Sequence, residues 1–253
     1  MIKPDRILYR WGDKAKPGVA VAVSLFNYES YIESCLDSVA AQTFQDLHLI
    51  VVDDCSTKDK SAARTQAWMG RNRERFASGQ LIQHERNRGL AEARNTAFVA
   101  TDCDLVFVLD ADNEIYPQCI HKLVRAVQGG ADASYSQLVT FGDVVEVGAA
   151  DYWSKDLLAR GPYVDAMALI SKRSWQQVGG YTHLDGGWED YDFWCKLAEA
   201  DVAVCFVPEL LGRYRVHQSS MLRTDSVKSY DRLFNVISFR HPWTKLHGSG
   251  GYA

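Results

Sequence analysis

Short β-branched apolar runs that stop abruptly in polar residues, each followed by an amphipathic stretch, dominate the first half of this chain. VAVAVSLF (19–26) precedes a segment with Ile32, Leu36 and Val39 on one helical face, and the capping box Ser30-x-x-Glu33 opens it. LHLIVVDD ends at Asp53 and Asp54, and Ser56-x-x-Asp59 is placed to cap a helix running toward Trp68. A short strand at Leu81–Gln83 leads into the helical NRGLAEARNTAFVA, and LVFVLDAD ends at Asp110 and Asp112. Such alternation is the pattern of βα units, so the chain is read as α/β, with a Rossmann-like, mainly parallel central sheet flanked by helices.

Beyond a helix over 117–127 the pattern loosens. DASYSQLVTF and VDAMALIS read as strands, EDYDFWCKLAEA as an amphipathic helix from Glu189, and VAVCFVPELLGRYRVH as a hairpin or a bent strand. A last helix is expected over 227–239, ahead of the Gly-rich GSGGYA. No linker long enough to separate domains occurs, so residues 1–253 are read as one domain with a break near Gly129-Gly130.

A net charge of −4 argues against a nucleic-acid binder. Nine Lys/Arg nevertheless fall within residues 58–94, and a second basic stretch runs from Arg213 to Lys245. These are solvated faces or contacts to phosphate or an anionic membrane surface. The six cysteines form no CxxC pair and read as buried free thiols of a reducing compartment. No apolar run approaches membrane-spanning length, and MIKPDRILYRW is not a signal peptide. A cytoplasmic protein is expected, at most peripheral at the inner membrane face.

In open parallel sheets ligands bind beyond the carboxyl ends of the strands. Here three such ends carry polar groups: Ser24 and Asn27, Asp53 and Asp54, Asp110 and Asp112. Asp110 and Asp112, two apart, can share a face, and a divalent cation such as Mn²⁺ or Mg²⁺ would remove the cost of pairing them. The alternative is a pair of turn or cap aspartates. Asp102 and Asp104 repeat the spacing at the other end of that strand and read as turn residues. Asp54 can accept an imino N–H or a ribose hydroxyl, or cap the following helix. Phe26 is either core or an aromatic platform. DGGWEDYDFW places Asp185, Glu189, Asp190 and Asp192 around a loop–helix junction, where they suit the helix dipole or supply a general base desolvated by Trp188 and Trp194. His217 is a satisfied structural histidine or the last ligand of a Mn²⁺ site.

No GxxxxGK, GxGxxG after a strand, GxSxG or HExxH motif is present. Four segments in order resemble the family 2 glycosyltransferases of GT-A fold. They are VSLFNYESYIESCLDSVAAQTFQDLHLIVVDDCS, NRGLAEARN, LVFVLDADN, and VGGYTHLDGGWEDYDFW followed by YRVHQSS, together covering about Val19 to Met221. The resemblance implies a nucleotide-binding half (19–128), an acceptor-binding half (129–221) and a C-terminal helical tail (222–253). It implies that Ser24, Phe26, Asn27, Asp53 and Asp54 hold the nucleotide, with Phe26 on the base and Asp54 on a uracil imide. Asn87 and Arg94 would close that site, and Asp110 would face ribose or metal. Asp112 and His217 would bind the cation, Asp190 would be the base, and Glu189 would support it or contact acceptor.

The implied function is metal-dependent, inverting transfer of a hexosyl or N-acetylhexosaminyl group from a nucleotide-diphosphate donor, expected to be a UDP-sugar, to a saccharide, glycolipid or other hydroxyl. The chain lacks a QxxRW motif, which argues for one transfer per encounter. The alternatives are a catalytically silent sugar-nucleotide-binding protein on the same fold, and a sugar nucleotidyltransferase. The second would need a Gly-rich basic loop after the first strand, where SLFNYES stands. A glycoside hydrolase also pairs acids, but has no need of DxD at a strand end.

Overall fold

The computed structural model describes residues 5–12, 18–217 and 229–246. Its elements are β1 (Arg6–Trp11), β2 (Val19–Leu25), α1 (Ile32–Ala40), β3 (Leu47–Asp53), α2 (Ser61–Asn72), β4 (Ser78–Gln83), α3 (Leu90–Ala100), β5 (Leu105–Asp110) and β6 (Glu114–Ile115). Then come α4 (Cys119–Gln128), β7 (Ala133–Gly142), α5 (Lys155–Leu158), β8 (Ala168–Ser171), α6 (Lys172–Gln177), α7 (Glu189–Glu199), β9 (Val204–Val216) and α8 (Tyr230–Arg240).

The strands form one nine-stranded sheet in the order β1-β4-β3-β2-β5-β8-β7-β9-β6. Neighbours from β4 to β5 are parallel, whereas β8 is antiparallel to both β5 and β7. Strand β2 is apolar at almost every position because both faces of the sheet are covered. Ala20 and Ala22 face a core with Phe98 of α3 and Phe193 and Trp194 of α7, while Val19, Val21 and Val23 face Leu36 of α1, Trp68 of α2 and Leu123 of α4. After β4 the chain returns through α3 to place β5 on the other side of β2, so the strand order reverses there. A crevice opens at such a point, beyond the strand ends.

Several local expectations are corrected. The Ser30–Glu33 capping box is not formed: Tyr31 is the N-cap of α1 and makes no side-chain cap bond. Asp59, not Ser56, serves the start of α2, its carboxylate accepting the Ser61 N–H at 2.9 Å, and Ser56 Oγ instead accepts the Asn27 N–H. Of the hairpin and the bent strand, the second is formed: VCFVPELLGRYRV is one strand, irregular in register opposite Ser136–Leu138. The N-terminal RILYRW, given no strand above, pairs with β4. All six cysteines are free, but Cys55 and Cys205 are only half-buried. The final helix starts at Tyr230, and Gln218–Ser220 of the YRVHQSS segment and the GSGGYA tail lie outside the described residues.

Within the first basic stretch, Arg71 pairs with Glu33 and Arg88 with Asp5. Arg75 donates to the carbonyls of Ala40, Gln42, Phe44 and Gln45, so it acts as a staple for that connection.

Candidate active site

A cleft of about 750 Å³ lies over the strand ends where the order reverses. Ser24, Phe26, Asp54, Asn87, Arg94, Asp110, Asp112, Glu189 and Asp190 all line it, so the strand tips and the loop–helix junction meet in one place. Phe26 is 40% exposed, which leaves its face open to a planar ring.

Asn27 and Asp53 are absent from the cleft wall. Asn27 adopts φ 56°, a conformation asparagine tolerates, and its Oδ1 accepts the N–H groups of Thr57 and Lys58 at 3.0 Å. Asp53 is fully buried and accepts from Gln83 Nε2 at 2.8 Å. Both fix the turns that frame the cleft. Asp54 reaches the wall, yet its carboxylate already accepts from the Arg88 and Gly89 N–H groups, both at 2.8 Å, and lies 2.6 Å from His84 Nδ1. It therefore anchors the start of α3. Gly89 must be glycine there: its φ is +90°, and a Cβ would lie 2.5 Å from the His183 ring.

At the centre, Arg94 of α3 is buried and donates through Nη2 to both oxygens of Asp110 at 3.0 Å, and through Nη1 to Glu189 at 3.3 Å. Burial works against its charge, but Asp110 and Glu189 outweigh it and its pKa is raised. Asp112 lies 3.1 Å from His217 Nε2. Burial, then Asp110, pushes the Asp112 carboxyl upward, with His217 pulling the other way.

Trp188 caps α7 with φ 66°, an unfavourable conformation for a bulky residue. Its ring meets Tyr191 and Tyr230 edge-on at 5.8 and 5.4 Å. The next two residues are the acids. Burial raises both carboxyls, and Arg94 partly offsets it. Asp190 Oδ1 accepts the Tyr191 N–H at 2.8 Å, which fixes the carboxylate at the helix start. Asp192, two residues on, is turned away from the cleft into an ion pair with Arg240 at 2.5 Å and contacts to His241 and Lys196.

Among the cleft residues that escaped the reading of the sequence are Asp165, Tyr214 and Tyr28. Asp165 precedes β8. That strand runs antiparallel to β5, so its beginning, not its end, opens on the cleft. Tyr214 sits near the end of β9, opposite Thr140, which also lines the cleft. Tyr28 is held beside Asp112 and edge-on to His217 at 5.8 Å.

Among the described residues, seven carboxylates line the cleft against one guanidinium, Arg94. Such a surplus suits a cation. No group of three or more His, Cys, Asp or Glu is preassembled around a common metal position among the described residues. Asp110 is engaged by Arg94, and Asp112 and His217, 3.1 Å apart, are the described residues that would hold an ion beside it. Two protein ligands completed by phosphate oxygens is an ordinary arrangement for Mg²⁺ and acceptable for Mn²⁺, so these residues fit a divalent ion.

The fold and the acidic cleft at the reversal of strand order define a GT-A-type α/β protein. Residues 20–171, more than half of the chain, match glycosyl transferase family 2, and the chain belongs to that family. It is 24% identical over 194 residues to a chondroitin synthase of Escherichia coli, covering 74% of this chain and 27% of that protein. It is 30% identical over 112 residues to the uncharacterized glycosyltransferase EpsJ of Bacillus subtilis, covering 44% of this chain and 31% of that one. The chain thus spans about a third or less of these relatives. Among solved structures, Staphylococcus aureus TarS 1–349 in complex with UDP-GlcNAc superposes with a TM-score of 0.72 at 17% identity, covering 88% of this chain and 66% of that one. The mannosyltransferase PcManGT of Pyrobaculum calidifontis, in complex with GDP-Man and Mn²⁺, gives 0.67 at 17% identity, with 92% and 68% covered. No described helix is long and apolar enough to cross a membrane.

Proposed function

We propose that this chain transfers one sugar, hexosyl or N-acetylhexosaminyl, from a nucleoside-diphosphate donor to an acceptor hydroxyl, with inversion and with the help of a divalent cation. The observation that carries the reading is the Arg94 bridge, which ties the Asp110 strand end to Glu189, the neighbour of Asp190. A donor bound at the strand ends then presents its anomeric carbon to Asp190. Support for UDP-GlcNAc and GDP-mannose as candidate donors comes from the TarS and PcManGT complexes. We favour a uridine nucleotide, stacked on Phe26.

A cation held by Asp112 and His217 would neutralise charge on the departing diphosphate. Asp190 takes the proton of the acceptor hydroxyl while its oxygen forms the new bond to the anomeric carbon. The bond to the diphosphate oxygen breaks on the opposite face and its electron pair leaves with the nucleoside diphosphate. One base and no covalent nucleophile means a single displacement. Arg94 holds Asp110 and Glu189 in place throughout. The free thiols suit a cytoplasmic setting.

The test is a thermal-shift panel of UDP-, GDP-, dTDP- and CMP-sugars with and without Mn²⁺. Ligand binding to the native state raises the melting temperature. A Mn²⁺-dependent rise with one donor class supports the reading, and no rise with any of them overturns it.

A further inference from the structure

Asp165 has no role in the reaction as described, yet its carboxylate stands on the cleft wall. Oδ1 accepts the Met167 N–H at 2.8 Å, and Oδ2 has no partner among the described residues. Its main-chain oxygen accepts from Trp194 Nε1 at 3.3 Å, and Trp194 lies one turn beyond Asp190 on the same face of α7. The Asp165 loop is thereby pinned to the helix that carries the base, and the carboxylate lines the same cleft as Asp190 and Asp110. Burial raises its pKa to about 7, with Asp190 and then Asp110 adding to the rise. Tyr214 lines the same cleft, its hydroxyl likewise without a partner among the described residues, and burial and then the Asp165 charge raise its pKa. Around them the wall is apolar and aromatic: Pro162, Tyr163, Val164, Ala166 and Trp188.

Resting on the transferase reading above, we infer that Asp165 and Tyr214 form the acceptor subsite, and that the acceptor bound there is a neutral pyranose. Asp165 Oδ2 accepts a hydrogen bond from the hydroxyl next to the one that attacks, while the C–H face of the ring lies against the aromatic wall. Neighbouring Asp190, Glu189 and Asp110 disfavour a phosphate or carboxylate at this spot. An isolated alcohol would leave Asp165 unpaired. Asp165 is thus a specificity-determining residue, not a second base.

The experiment uses the full chain with Mn²⁺ and UDP-GlcNAc, UDP-glucose or GDP-mannose. Methyl pyranosides, glycerol 1-phosphate and octanol are the acceptor probes, and nucleoside-diphosphate release above the water background is the readout. Asp165→Asn keeps an acceptor for the Met167 N–H, and its melting temperature checks folding; Asp165→Ala is the second variant. Both are expected to raise the pyranoside KM roughly 10–100-fold, the loss of one charge-assisted hydrogen bond, while a Mn²⁺-dependent donor thermal shift persists. A pyranoside lacking the adjacent hydroxyl should lose the same factor with the unaltered protein and nothing further with Asp165→Asn. Unchanged KM in both variants overturns the subsite. So does preference for glycerol 1-phosphate or octanol, or the absence of pyranoside-stimulated release. Absence of any donor thermal shift in the unaltered protein overturns the transferase reading as well, which separates the two failures.

Discussion

Arg94 grips both oxygens of Asp110 at 3.0 Å from a fully buried position, so the first aspartate of the DxD pair is committed to an arginine. The same guanidinium reaches Glu189, 95 residues further along the chain. One buried cation therefore aligns the strand-end acids with the acids of α7.

Replacing Arg94 by Gln leaves two carboxylates without their counter-charge in a poorly solvated place. Removing one partner of a buried pair costs about 3–5 kcal/mol. Urea unfolding should show a loss of that order, with transfer abolished. Arg94→Lys, which cannot hold both oxygens of Asp110 and Glu189 together, should recover stability in part and activity little. A variant at Gln with unaltered unfolding would contradict the bridge.

Asp190→Asn should leave donor affinity within about twofold and lower kcat by roughly 10²–10⁴-fold, the contribution of a general base. The base acts deprotonated, and burial lifts its carboxyl above the ordinary range. The log of kcat should therefore rise with pH along an acidic limb displaced above the usual carboxylate pKa. A flat profile across that region, measured with a slow chemical step, would sink the assignment.

Asp112→Ala and His217→Ala each remove one of the residues proposed to hold the cation. Titration calorimetry should show that the increment in UDP affinity conferred by Mn²⁺ disappears in Asp112→Ala and shrinks in His217→Ala. Affinity without metal should change little.

The Asp192 clasp gives stability a pH dependence. Arg240 and His241 hold its carboxyl below the usual range despite burial, so this contribution exists above the ordinary carboxylate pKa and fades only in strong acid. His241 is buried at 2% exposure; burial lowers its pKa, but Asp192 and Glu199 outweigh it and the net direction is up from 6.5. A raised histidine contributes fully below its unfolded pKa of about 6.5 and loses that contribution as pH rises through the folded value. His241→Gln should thus lower the melting temperature most near pH 5–6 and progressively less toward pH 9. An equal deficit at all pH values would show that packing, not charge, holds α8 against α7.

Local patterning made the first half legible. VAVAVSLF, LHLIVVDD and LVFVLDAD announce buried parallel strands because side chains on both faces must be apolar, and their polar stops mark the ligand edge. GGWEDYDFW was readable as a loop–helix junction because Gly186 and Gly187 at positive φ and acids in a first helical turn are local chemistry. Capping was misjudged at Ser56, whose hydroxyl accepts the Asn27 N–H from 29 residues away while Asp59 takes the Ser61 N–H, and at Ser30, because α1 starts one residue later, at the N-cap Tyr31.

What the amino-acid order determined by itself was the set of strands, the acids at their tips and the family they point to, since periodicity and turn chemistry act over a few residues. The tertiary structure alone decided which acids are already spoken for. Asp54 and Asp110 answer to His84 and Arg94, Asp53 is sealed beneath the cleft, and Asp165 enters it because β8 runs backward. Strand direction and buried charge pairing depend on chain segments far apart in sequence, and only packing brings those together.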